Sequence, residues 1–162
     1  MNVPIRYIPK NLTQKDKQKQ AAMLRKSRSL YKKHKYYTRK SVSSFHSKPS
    51  NHIENAKRIY RVKKVVPNKE LSIKTGCSIS ALRRIVRKGE GAYFSSGSRP
   101  NQTARSWGLA RLASSITGGK AAAVDYSIID TGCDHNKKAF RLANRSKRQY
   151  NHGQSKTPKT QL

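Results

Sequence analysis

The sequence predicts a mainly α protein with a small central helical domain of helix-turn-helix type and long basic N- and C-terminal extensions. Three observations predict it. Apolar residues recur at helical spacing in segments bounded by capping residues and glycines. The 162 residues carry 37 Lys+Arg against 7 Asp+Glu, a net charge of +30, with only 34% apolar residues, so self-repulsion is strong and any private core is small. The charge is also uneven: residues 1–66 hold 19 cations and 2 acids, 67–135 hold 10 and 5, and 136–162 hold 8 and none. The near-balanced middle contains the sole Trp and most of the glycines. We therefore expect a basic N-terminal arm with two helices over 1–66, the helical core over 67–135 and a basic tail over 136–162.

Element by element, Pro4 and Pro9 around Ile5, Tyr7 and Ile8 predict an extended arm. Thr13, with Asp16 three residues on, starts a helix over 14–31 whose apolar stripe is narrow enough to need a partner. Residues 32–50 mix cations with Tyr36, Tyr37 and Phe45 without periodicity and read as an irregular linker tracking an anionic or aromatic surface. Asn51 and Glu54 start a second helix running to about Val62, and Pro67 ends a short extended piece at Val65 and Val66. Asn68 caps a helix over 69–75, Gly76 suits a positive φ, and Ser78 caps a helix from Ile79 to Lys88 closed by Gly89. Gly89, Gly91 and the following Ser/Gly/Pro residues predict a loop. Thr103 opens a helix ended by Gly118-Gly119, and Ala121 to Gly132 forms another. Beyond Asn136 the composition is that of a tail unable to fold alone.

Several classes are excluded. The longest aliphatic run, Ala121 to Val124, is far below the roughly 20 residues of a transmembrane helix. Cys77 and Cys133, 56 residues apart without a secretory leader, read as two free thiols in a reducing compartment. The Asn-x-Thr triplets at Asn11 and Asn101 would matter only in a secreted chain. Gly118-Gly119-Lys120 lacks the spacing and hydroxyl of a phosphate-binding loop, and Cys133 with His135 lacks paired metal-ligand spacing. No nucleophile, base and orienting group come together, so we expect no enzyme, no cofactor, no metal and no small-molecule substrate.

The most specific pattern is ELSIKTGCSISALRRIVRKG at 70–89. Leu71, Ser72, Gly76, Cys77, Ser78, Leu82 and Ile85 fill the positions a helix-turn-helix requires, leaving Ser80, Arg83, Arg84, Arg87 and Lys88 outward for phosphates or a guanine edge. An αα-corner with solvent-facing arginines satisfies the same pattern and is the commoner outcome for so short a motif. Arg99 and Arg105 in the segment 89–108, and Lys32, Lys33, Lys35, Arg39 and Lys40 in the linker, complete the candidate nucleic-acid or partner contacts. Cation-rich segments of this kind bind nucleic acid with a steep salt dependence, or match acidic protein or lipid headgroups.

The segments RYIPKNLTQKDKQKQ, YKKHKYYTRKSVSSFHSK, SALRRIVRKGEGAYFSSGSRPNQTARSWGLARLASSITGGKAAAVDY and GCDH, most of residues 6–135, resemble an uncharacterised protein family of large nucleocytoplasmic DNA viruses of algal type. The resemblance implies a virion-associated or DNA-handling protein. It leads us to expect a minor capsid protein on the inner side of the shell, located in the virion and, during assembly, in the host cytoplasm or nucleus. Its partners would be major and other minor capsid proteins, with viral genomic DNA or inner-membrane headgroups at the arms. The alternative is a virion DNA-binding, packaging or regulatory protein using the helix-turn-helix.

Overall fold

A computed structural model describes residues 1–162 as eight α-helices and one two-stranded antiparallel sheet: β1 (Asn2–Pro4), α1 (Gln14–Tyr31), α2 (Asn51–Tyr60), α3 (Lys69–Thr75), α4 (Ile79–Ser95), α5 (Ala104–Ile116), α6 (Lys120–Val124), α7 (Tyr126–Gly132), α8 (Lys138–Gln149) and β2 (Lys159–Gln161). The mainly α class is correct. The chain forms two compact units, one from Met1–Lys48, Glu90–Trp107 and Lys156–Leu162, the other from Pro49–Gly89 and Gly108–Ser155. This grouping differs from the threefold division that composition suggests, and two of the boundaries fall inside α4 and α5.

In the first unit, Thr13 accepts a hydrogen bond from Asp16 N and starts α1 as its sequence predicts. The flanks are not free arms here. Val3 pairs opposite Thr160 in the β1–β2 ladder, and Val3, Tyr7 and Leu24 bury together with Leu162 and Trp107 against them. A second cluster joins Leu12, Met23 and Val42, with Tyr37 and Phe45 alongside. Residues 32–50 are irregular, as expected, but they fasten to their own unit: Asn101 bonds Val42 N, Val42 O and Phe45 O. The narrow apolar stripe of α1 thus finds its partner within the same chain.

The second unit holds the larger core, in which Leu71, Leu82, Ile85, Leu112, Ile116 and Ile129 are fully buried. Asn68 accepts from Leu71 N, Ser78 from Ala81 N, and Gly76 takes the left-handed conformation (φ 78°) at the end of α3, all following from local chemistry. Three expectations fail. Gly89 does not end α4: it lies inside the helix where α5 crosses, and a β-carbon there would stand 2.6 Å from Gly108 Cα. Ala121 to Gly132 is two helices, broken at Asp125, whose side chain turns into the core. The segment after Asn136 folds as α8, packed on α6 and α7 through Ala139, Ala143 and Ser146. Its buried face is made of small residues, which a reading weighted toward large aliphatics passes over.

The cysteine expectation is also corrected. Cys77 and Cys133 form a disulfide. Ser78 N donates to Gly132 O and Asp134 N to Gly76 O, so the two cysteines face each other as a non-hydrogen-bonded antiparallel pair, Cα to Cα 3.9 Å. Distance along the chain conceals this adjacency. No helix is long and apolar enough to cross a membrane.

Candidate nucleic-acid interface

The helix α4 has two unlike faces. Ala81, Leu82, Ile85 and Val86 are buried, while Arg83, Arg84, Arg87 and Lys88 are exposed at positions one and four apart. This is the 3.6-residue repeat written in charge. Ser80, also exposed, lies one turn before Arg83 and Arg84. The three-residue connection Gly76–Ser78 between α3 and α4 is short enough for a helix-turn-helix, and Ser72 Oγ donates to Cys77 O to brace it.

Within this set Lys88 differs from the others. Its ammonium lies 2.9 Å from Asp125 Oδ1, and Arg111 grips the same carboxylate with Nε to Oδ2 and Nη2 to Oδ1, each 2.8 Å. Asp125 is fully buried. Burial pushes its carboxyl toward higher pKa, but the hydrogen bonds and charges of Arg111 and Lys88 outweigh that and hold it below the ordinary carboxylate range. Lys88 is therefore spent on the fold, whereas Arg83, Arg84 and Arg87 have no carboxylate within 4 Å.

Sequence reasoning missed a second basic face. On α8, Lys138, Arg141, Arg145 and Arg148 are exposed at helical spacing opposite Ala139, Ala143 and Ser146. Ser146 Oγ donates to Gly119 O at 2.7 Å, which fixes the roll of the helix. The row spans about 15 Å at 1.5 Å per residue, and α8 contains no acidic residue. The signal was present as a cation every three or four residues over small side chains.

Of the remaining candidates, Lys32, Lys33, Lys35, Lys40, Arg99 and Arg105 are exposed. Arg39 is not, and its assignment as a partner contact is corrected. It is 6% exposed, its guanidinium lies 3.8 Å over the Tyr93 ring, and it donates to Ser27 Oγ, Tyr93 O and Ser98 Oγ at 2.8–2.9 Å. Burial lowers its pKa, with Tyr93 opposing. With no carboxylate in reach, this cation is held by oxygens and a ring face. Both thiols being in the disulfide, Cys133 has no thiolate to offer a metal beside His135, whose Nε2 instead meets Asp130 O and whose ring stacks on Phe140.

A small, strongly basic helical protein with solvent-facing cation rows is thus defined. Residues 4–141 match the model of a family of unknown function, DUF5824, and the chain belongs to that family. No curated protein and no solved structure matches it.

Proposed function

We propose that this protein binds duplex DNA without catalysing a reaction, with α3, its turn and α4 acting as a helix-turn-helix. Arg83, Arg84 and Arg87 reach phosphates and base edges, and the α8 row adds backbone contacts. The carrying observation is that three arginines stand exposed and without a carboxylate partner on a helix whose other face is fully buried. Adjacent like charges on a rigid helix repel, the phosphates of a polyanion offset that repulsion, and the counterions condensed on the polyanion are released when they do. The resemblance to a family of large DNA viruses supports a virion setting, with the genome as ligand. A minor capsid role on the inner side of the shell draws on the same resemblance, but it calls for extended arms, and residues 1–48 and 156–162 pack with Glu90–Trp107 in one compact unit.

The test is duplex affinity against salt. A straight log–log dependence is expected, its slope falling by about 1 for each phosphate-contacting arginine removed. An Arg83→Ala/Arg84→Ala/Arg87→Ala variant with the wild-type slope would overturn the assignment. Stoichiometric retention in purified, nuclease-treated shells would favour the capsid role instead.

A further inference from the structure

The first unit carries an aromatic array that the duplex-binding role leaves unused. Helix α1 ends at Tyr31, and the amides of Lys33 and Lys35 bond Leu30 O while that of His34 bonds Tyr31 O. His34 sits at φ 57°, the left-handed conformation that reverses a chain past a helix end. The reversal returns Tyr36 against Tyr31, ring centroids 6.2 Å apart, and Phe94 lies 5.1 Å beyond Tyr36. Three rings therefore follow one another, with Tyr36 in the middle.

Tyr36 is 70% exposed and Tyr31 37%, two of the five large hydrophobic side chains left in solvent. The exposure is not that of a loose segment. Immediately after Tyr36 the chain is anchored by Tyr37 against the Leu12–Met23–Val42 cluster and by the buried guanidinium of Arg39. A ring held outward on an immobilised backbone has already lost the freedom that binding would otherwise remove. Lys32, Lys33 and Lys35, within four residues of it in the chain, are exposed, and no acid occurs between Asp16 and Glu54.

We propose that Tyr36, flanked by Tyr31 and Phe94 and preceded in the chain by these exposed lysines, is a stacking site for unpaired nucleobases, so that this unit binds single-stranded nucleic acid. Flat apolar faces set among cations match a ligand with π-faces along a polyanionic chain. Paired bases in a duplex already cover those faces, so the ligand is single-stranded. The inference rests on the proposed nucleic-acid-binding role but concerns a different unit, surface and form of ligand.

The experiment measures the affinity of the full chain, at physiological salt, for an oligo(dT), an abasic oligomer of equal length and a DNA duplex. Wild type should prefer oligo(dT) to the abasic strand. Tyr36→Ala should weaken oligo(dT) binding by about 5- to 100-fold and leave the other two within about twofold, while Tyr36→Phe keeps the preference. Ultraviolet crosslinking of bound oligo(dT) should map to Tyr36. The proposal is overturned if wild type binds both strands alike, if Tyr36→Ala weakens all three ligands equally, or if the loss appears on phosphatidylserine vesicles and not on oligo(dT). Intact duplex binding without an oligo(dT) preference removes this site alone, whereas loss of all nucleic-acid binding removes the duplex assignment as well.

Discussion

Gly89 on α4 and Gly108 on α5 meet backbone to backbone: a β-carbon on Gly89 would stand 2.6 Å from Gly108 Cα, with Arg111 Cβ at 3.2 Å. Neither backbone can yield without moving a helix. We expect Gly89→Ala to lower stability by about 1–3 kcal/mol. Gly91, two residues on in the same helix, has nothing within 4 Å of its β-carbon position, so Gly91→Ala should raise stability by about 0.5–1 kcal/mol. Urea titration of both variants checks this, and shifts of the same sign would remove the close approach as the cause.

Asp125 has its carboxyl pKa below the ordinary 3.8 despite burial, because Arg111 and Lys88 favour the charged form. A folded value below the unfolded one stabilises the protein fully above about pH 5, and the stabilisation is lost progressively as pH falls from the unfolded value through the folded one. Asp125→Asn should cost about 3 kcal/mol at pH 7, the lower end for a broken buried pair because Arg111 and Lys88 keep contact with solvent. The difference from wild type should shrink below pH 4. Denaturation curves at pH 7 and pH 3 decide it.

The disulfide closes a sequence separation of 56 residues and ties the turn before α4 to the end of α7. Loop-closure entropy puts its contribution at up to about 4 kcal/mol. Thermal unfolding with and without reductant should show a large loss for wild type and none for Cys77→Ser/Cys133→Ser. Two alkylatable thiols in the native, unreduced protein would contradict the pairing.

Arg39 and its lysine neighbours should separate cleanly. Arg39→Lys should destabilise by about 2 kcal/mol, because an ammonium cannot reach Ser27, Ser98 and Tyr93 O together while covering the Tyr93 ring. Lys32→Ala and Lys33→Ala should stay within about 0.5 kcal/mol of wild type yet weaken nucleic-acid binding at low salt. Stability and affinity measured on the same three variants test the contrast.

Local chemistry was legible in the residues themselves. Thr13, Asn68 and Ser78 each accept the backbone hydrogen bond their position calls for, and Gly76 takes a positive φ, because a cap or a turn is settled within a few residues of chain. The outward arginines of α4 followed from the same short-range periodicity. Glycine misled at Gly89 and Gly91, since neither the one held inside the helix by close packing nor the one with open space around it looks different in sequence from a glycine that ends a helix. Arg39 misled because a cation in a basic stretch carries no mark of burial.

The sequence by itself determined the helical class, most helix starts, the excess of cations and the basic face of α4, all properties of neighbours along the chain. Only the tertiary structure decided that Cys77 meets Cys133, that β1 pairs with β2, that Asp125 breaks a helix to reach Arg111, and that α8 exists as an ordered row of charge. Each of these depends on groups far apart in sequence, whose encounter is set by how the helices pack rather than by what either segment prefers alone.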